Sequence, residues 1–267
     1  MPTLPRCRVI ASLFALGLLA ASAAHAELDA PSQARLAALQ ANPEASGELI
    51  YQGATFALEH PSAQPLFRYE RRLNSSDANG WVATHLTRNP KGELIILESG
   101  QFTPAYELQR FTVINQQGGF SGSAQVSADA RHLHYSLNDH GKITSADEEV
   151  NLPVITGPSM HGFILQHWDG LLAGNSLGVR LIVLQEMQTY GFDIRFEQQV
   201  DGQATFSVTP SSLLIRLAVA PLRVVFDANS KNVLRYQGRV PPKQEVDGQL
   251  KDLDAGVDYV SVAPHYR

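Results

Sequence analysis

Polar turns at a nearly regular spacing divide residues 47–149 into short apolar segments. Asp77–Gly80, Asn89–Gly92 and Asn138–Gly141 are polar tetrapeptides that end in glycine, the residue that most readily adopts the positive φ of tight turns. The segments between the turns are rich in apolar, aromatic and threonine residues, and the turns recur roughly every ten residues. A parallel crossover needs a dozen or more residues. The spacing therefore predicts an antiparallel sheet rather than a series of βαβ units.

The same pattern continues after residue 176. Tyr190–Glu197 alternates apolar with polar residues, as expected for a strand with one buried face. Further strands are predicted at Leu177–Leu184, Ala204–Val208, Leu222–Phe226, Val233–Arg239 and Val257–Val262, with turns at Asp201–Gly202 and Asp227–Asn232 and a polar loop at Asp247–Gly256. The sequence predicts an α+β, mainly β protein with one large curved antiparallel sheet, half-barrel-like, and two or three helices on one face.

The clearest helical pattern lies between Thr156 and Gly174. Ser159 is predicted to cap the helix, and Gly174 is predicted to end it with a positive φ. Apolar residues recur at helical spacing at Met160, Phe163, Ile164, Trp168, Leu171 and Leu172. Shorter helices are predicted at Glu27–Asn42 and Pro210–Ala218.

This apolar stripe is the best cover in the chain for the concave face of a curved sheet. We predict that Trp168 is largely buried against that face. If the helix covers the concavity only in part, an apolar ligand could bind between sheet and helix. The residues predicted to line such a site are Met160, Phe163, Ile164, His167, Trp168, Leu171 and Leu172.

Residues 1–26 have the properties of a cleavable signal peptide. Arg6 and Arg8 precede the apolar run Val9–Ala21, and Ala24–Ala26 fits the small-x-small cleavage rule. Cys7 precedes the apolar run, whereas a lipoprotein cysteine would follow it. We therefore expect an exported, periplasmic protein with a single β-rich domain over residues 27–267 and no membrane span after the signal is removed.

Composition limits the chemistry that the mature chain could carry. Cys7 is the only cysteine and would leave with the signal, which excludes disulfides and thiolate metal sites. The formal charge of −5 becomes more negative by two when Arg6 and Arg8 are removed. This charge argues against nucleic acid as a partner. No dinucleotide or P-loop glycine pattern occurs, and no cofactor is predicted.

Three groups of residues have both a chemical and a structural interpretation. His161 and His167 near Asp169 could support a hydrolase if a serine lay within reach. His132 and His134 have the spacing of a metal pair on a strand, but Leu133, Tyr135 and Leu137 would leave them on the solvent face. Arg68, Arg71 and Arg72 form the most evident basic cluster and are interpreted as a solvated strand edge.

Two motifs resemble a family of uncharacterised secreted proteins of Gram-negative bacteria. The helix motif F-I-x-x-x-W-D-x-L-L-A-G covers residues 163–174, and the L-x-Y-x-G hairpin is found at Leu234, Tyr236 and Gly238, after Asp227. The similarity extends over roughly residues 65–262, and Gln237 replaces an expected acidic residue. The resemblance implies no activity. The expected architecture is also similar to periplasmic lipoprotein-carrier half-barrels, although a shared fold does not fix function.

Three functions are therefore compatible with the sequence. The favoured one is a periplasmic protein that binds a lipid or another apolar or amphipathic ligand between sheet and helix. The alternatives are a hydrolase that uses His161, His167 or Asp169, and an envelope scaffold that binds a protein partner through a sheet edge.

Overall fold

The computed structural model describes residues 28–58, 64–75 and 80–262. The predicted signal segment and the turn residues 77–79 lie outside the described ranges. These ranges contain four α-helices: α1 Ala30–Ala41, α2 Gly157–Gln166, α3 Trp168–Leu172 and α4 Leu213–Ala218. The strands are β1 Glu48–Ala57, β2 Phe67–Ser75, β3 Trp81–Arg88, β4 Leu94–Phe102, β5 Leu108–Asn115, β6 Phe120–Val126, β7 His132–Asp139, β8 Lys142–Glu149, β9 Val154–Ile155, β10 Ser176–Val183, β11 Gln188–Val200, β12 Gln203–Pro210, β13 Leu222–Asp227, β14 Val233–Val246 and β15 Gln249–Ser261.

All fifteen strands form one sheet, which confirms the predicted mainly β fold. Strands β1 to β8 form one antiparallel meander and β10 to β15 form another, and β1 joins the two by pairing with β15. Strand β9 alone pairs in parallel, with β10, so the sheet is mixed. The predicted turn chemistry holds at His140 and Gly141, whose positive φ values of 52° and 82° connect β7 to β8.

The sheet curls until β8 approaches β10 and β11, and one side chain bridges the gap. The Glu148 carboxylate on β8 accepts hydrogen bonds from the Thr189 amide at 2.8 Å and the Thr189 hydroxyl at 2.6 Å, both on β11. It also accepts from Arg180 Nη2 on β10 at 3.0 Å and from the Tyr135 hydroxyl at 2.8 Å. This seam makes the sheet barrel-like without a strand pairing between its edges.

The helices cover opposite faces of the sheet. Leu36 and Leu39 of α1 pack with Leu86 and Leu97, which face outward. Helices α2 and α3 lie on the inner face, where Trp168 belongs to the largest apolar cluster. None of the helices in the described ranges is long and apolar enough to cross a membrane.

Three local predictions need correction. The helix begins after Thr156, its N-cap, and Ser159 accepts a hydrogen bond from the Thr156 amide at 2.8 Å from inside the first turn. It is interrupted at His167, which separates α2 from α3 and changes the faces that later residues occupy. Most of the predicted polar loop Asp247–Gly256 belongs to β15, because pairing with β14 and β1 outweighs its polar composition. The positive φ predicted at Gly174 is confirmed at 92°.

Candidate functional site

A row of four polar side chains crosses the inner face of the sheet beneath α2. The strand register places Tyr51 opposite Arg71, Arg71 opposite His85, and His85 opposite Glu98. Residues directly opposite one another in antiparallel strands point to the same face. Strands β1 to β4 therefore contribute one side chain each to what we call the inner row. All four side chains are buried, and Arg71 is 0% exposed.

Arg71 connects the inner row to α2. Its Nη1 donates to the Pro158 carbonyl at 2.6 Å and to His85 Nε2 at 2.8 Å. Because a guanidinium can only donate, Nε2 of His85 must accept and the ring proton lies on Nδ1. That Nδ1 is 3.9 Å from Oε2 of Glu98. The orientation of His85 is thus fixed by Arg71, and its N–H is turned toward the carboxylate.

The first turn of α2 completes this arrangement. A Cβ on Gly157 would lie 3.7 Å from Oε1 of Glu98 and 4.0 Å from Nδ1 of His85, so the backbone of α2 begins beside the carboxylate. One turn later, His161 Nδ1 is 2.5 Å from the Tyr51 hydroxyl. The N-terminal half of α2 is therefore docked on the inner row by polar contacts.

Burial determines the charge of the inner row. It lowers the pKa of His161 to about 3, with the positive charge of Arg71 acting in the same direction. Burial also holds the pKa of His85 well below its ordinary value, again assisted by Arg71. Loss of hydration raises the pKa of Glu98 to about 7. Near neutral pH, the row thus holds a charged arginine, two neutral imidazoles and a carboxyl group in the middle of its titration.

Most of the predicted ligand-binding residues belong to packed core. Met160, Phe163, Ile164, Trp168 and Leu171 are all buried in one apolar cluster. The predicted burial of Trp168 agrees with its 4% exposure, and its ring centroid lies 4.9 Å from that of Phe206 and 5.6 Å from that of Phe226. Leu172, by contrast, is 37% exposed, because the interruption at His167 turns it away from the inner face.

A cleft lies where α2 meets α3, at the opposite end of α2 from the inner row. Its volume is about 320 Å³, and its apolar wall includes Leu165, Leu171 and Leu177. The polar residues that border the cleft are Gln166, His167, Asp169, Asn175 and Lys231. The Lys231 ammonium lies 5.4 Å from the Trp168 ring centroid, a cation–π distance. Three of the predicted ligand-binding residues, His167, Trp168 and Leu171, line this cleft.

The residues of the hydrolase hypothesis are not brought together. His161 bonds the Tyr51 hydroxyl, and His167 Nδ1 lies 2.9 Å from the Phe163 carbonyl oxygen of its own helix. Asp169 is exposed. The Ser159 hydroxyl donates to the Thr156 carbonyl at 3.1 Å. These contacts organise the helix rather than a nucleophile and its base.

The exposed histidines of β7 are on the solvent face, as their alternation with leucine and tyrosine predicts. His132 lies 3.6 Å from an Asp129 carboxylate oxygen, and His134 contacts Asp147. The described ranges contain no cluster of three or more histidine, cysteine or acidic residues arranged to hold a metal ion.

The sequence did not predict the inner row. It indicated that Arg68, Arg71 and Arg72 form a solvated strand edge, and this interpretation is wrong for Arg71 and Arg72. Arg68 is exposed, but Arg71 and Arg72 are buried. Arg72 pairs with Glu70 at 2.9 Å and donates to the Gly47 carbonyl at 3.1 Å. Isolated polar residues on separate strands give no sequence signal, because only the register across four strands places them side by side.

Comparison with protein-family models and with curated protein sequences finds no match. Among solved structures, the chain is similar to a β-barrel-like protein of domain of unknown function DUF1849 from Brucella abortus. That alignment has a TM-score of 0.42 and 8% identity, and it covers 82% of this chain and 100% of the other. A porin-like protein from Bacteroides uniformis aligns with a TM-score of 0.22 and 10% identity, over 81% and 99% of the two chains. Likenesses at this level carry no argument about function, and the motif-based resemblance stays a prediction.

Proposed function

We propose that this chain is an exported binding protein of the bacterial envelope, with an amphipathic ligand bound in the cleft between α2 and α3. The observation that carries the proposal is the cleft itself, which sets three leucines against polar groups within about 320 Å³. Small-molecule sites begin at roughly this size and combine an apolar wall with a few polar groups. The signal-like segment at residues 1–26 supports a periplasmic location.

The chemistry of the cleft limits the ligand. Leu165 and Leu177 are half-buried at the cleft and offer surface for a short apolar segment, and each methylene group buried there would contribute about 0.8 kcal/mol. Lys231, His167 and Asn175 would contact a polar head group at the open side. The separation of an apolar wall from a polar opening favours a ligand with one apolar and one polar end over a wholly polar metabolite.

A space-filling variant tests the cleft directly. Gly170 of α3 borders the cleft, and its Cβ would lie 3.3 Å from the Asn175 side-chain amide. Gly170→Leu should fill the apolar volume while it favours the helix, because leucine has a higher helix propensity than glycine. Ala173 is exposed and does not border the cleft, so Ala173→Leu is the matched control.

Binding is followed by two measurements. Native mass spectrometry of protein purified from the periplasm would reveal a co-purified lipid. Trp168 fluorescence would report titration with decanoate in a Trp81→Phe background, in which Trp168 is the only remaining tryptophan. We expect the control to bind as wild type does and Gly170→Leu to lose binding. Equal binding by both variants, or a ligand-free wild type that does not respond to decanoate, would refute the proposal.

A further inference from the structure

The cleft between α2 and α3 is bordered by a lysine that has no anionic partner among the described residues. The ammonium of Lys231 lies 5.4 Å from the centroid of the Trp168 ring, which also borders the cleft. The ion pairs formed within the described ranges do not include Lys231. An aromatic face attracts a cation only on the side that the ring covers. The other side of the ammonium is therefore open to an anion.

The turn between β13 and β14 explains why its own acidic residue does not neutralise Lys231. The Asp227 carboxylate accepts hydrogen bonds from the amides of Asn229 at 3.0 Å and Ser230 at 2.7 Å, and from the Ser230 hydroxyl at 2.9 Å. The Lys231 amide donates to the Asp227 carbonyl at 2.8 Å. These bonds fold the turn and direct the carboxylate to its backbone. The lysine therefore keeps its charge available to a ligand.

The backbone conformation of Lys231 also indicates that its side chain is used. Its φ is 59°, in the left-handed region, where glycine is the most readily accommodated residue and asparagine the next. The turn geometry alone would thus favour a different residue type. A lysine at this position is explained by what its side chain contacts, which is the indole at the border of the cleft.

Asn175 supplies a neutral donor to the same cleft. Helix α3 ends in a Schellman motif, in which the Gly174 amide donates to the Leu171 carbonyl and the Asn175 amide donates to the Gly170 carbonyl, each at 3.0 Å. The side-chain nitrogen of Asn175 lies 3.3 Å from the position that a Cβ on Gly170 would take, so the side chain folds back over α3. The motif therefore fixes an amide donor at the border of the cleft.

Asp169 borders the cleft as well and would favour a cationic ligand, but its position differs from that of Lys231. Consecutive residues of a helix leave its axis about 100° apart. Trp168 is directed into the core at 4% exposure, whereas Asp169, the next residue of α3, is exposed. The ammonium thus lies over the buried ring of the cleft, and the carboxylate is on the solvent side of α3. The charge beside the apolar surface is positive.

We infer that the polar end of the ligand in this cleft is an anionic group, bound by the Lys231 ammonium and the Asn175 side-chain amide. The apolar end would then lie against Leu165 and Leu177. Hydrogen bonds from an ammonium to an anionic oxygen are stronger than those between neutral groups. This inference rests on the function proposed for the cleft and specifies the charge of its ligand. A medium-chain carboxylate has the required chemistry.

Decanoate, decan-1-ol and decylammonium test this inference by isothermal titration calorimetry at about pH 8, because they share one chain length and differ in the charge of the head group. An exposed ion pair contributes up to about 1 kcal/mol, so decanoate should bind about three- to fivefold more tightly than decan-1-ol. Decylammonium should bind most weakly. Added salt should weaken the binding of decanoate and leave that of decan-1-ol unchanged.

Paired variants assign the effect to individual side chains. Lys231→Gln should lower the affinity for decanoate to that for decan-1-ol, whereas Lys231→Arg retains the charge and should retain the preference. Lys251 is an exposed lysine of β15 outside the cleft, so Lys251→Gln removes the same net charge and should bind as wild type does. Asn175→Ala should weaken the binding of decanoate more than that of decan-1-ol. The affinity for decan-1-ol should be the same in all four variants, which shows that the cleft is intact.

The outcomes separate this inference from the proposed function. Equal affinity for decanoate and decan-1-ol, or tightest binding of decylammonium, would overturn the anionic assignment. If Gly170→Leu then abolished binding of these probes, the cleft would remain a ligand site. A wild-type preference for decanoate in Lys231→Gln would also contradict the assignment. Absence of binding by all three probes would overturn the inference together with the function on which it rests.

Discussion

Replacing Glu98 with glutamine should stabilise the protein relative to wild type above neutral pH. Glu98 is 8% exposed, and burial raises the pKa of its carboxyl group from 4.5 to about 7. Between these pH values, the folded protein retains a proton that the unfolded chain has already released. Unfolding is therefore increasingly favoured as the pH rises through this window.

The size of the effect follows from the pKa difference. Each pKa unit corresponds to about 1.4 kcal/mol, so a rise from 4.5 to about 7 represents a loss of about 3 kcal/mol. The stabilising contribution of the protonated group is complete below about pH 4.5 and absent above about pH 7. Glutamine has nearly the same shape and does not ionise. The stability of Glu98→Gln relative to wild type should thus increase by about 3 kcal/mol between about pH 4.5 and about pH 8.

Urea melts of the ligand-free proteins across this pH range provide the measurement. His85 and His161 also titrate differently in the folded and unfolded states, but both remain in the variant, so the difference between the two proteins isolates Glu98. A constant difference across the range would mean that the folded carboxyl has an ordinary pKa and is well hydrated. A difference that falls with increasing pH would mean that Arg71 or the first turn of α2 stabilises the ionised form, and the reasoning about desolvation would be wrong.

Two further substitutions test how the helix and the sheet edges are held. Trp168→Ala should lower the free energy of unfolding by about 3–5 kcal/mol, because the indole is buried against Phe206 and Phe226. Denaturant melts measure this loss, and a variant as stable as wild type would show that packing of this helix against the sheet does not depend on Trp168. Glu148→Ala should cost about 2–3 kcal/mol, because the Thr189 amide and Arg180 lose their acceptor at the seam. Amide exchange at Thr189 should become faster in that variant, and unchanged exchange would show that the seam does not depend on Glu148.

The sequence alone determined the antiparallel sheet and the apolar character of the helix that packs inside it. Turn residues such as His140 and Gly141 act locally, because the few residues of a short connection are sufficient to predict its positive φ values. The apolar spacing across α2 and α3 likewise acts within a few turns, and it was sufficient to predict the burial of Trp168. The polar composition of Asp247–Gly256 was misleading, because pairing with two neighbouring strands stabilised an extended backbone there.

Only the tertiary structure decided which polar residues meet. Arg71, His85 and Glu98 are on three different strands, and no sequence motif surrounds any of them. They lie side by side only because of the register in which β2 pairs with β3 and β3 pairs with β4. Their properties then depend on how α2 covers them, because burial, rather than residue type, gives Glu98 a pKa of about 7. Local sequence patterns therefore specified the strands and helices. The inner row formed only where distant strands came together, because strand register and desolvation are properties of the assembled sheet.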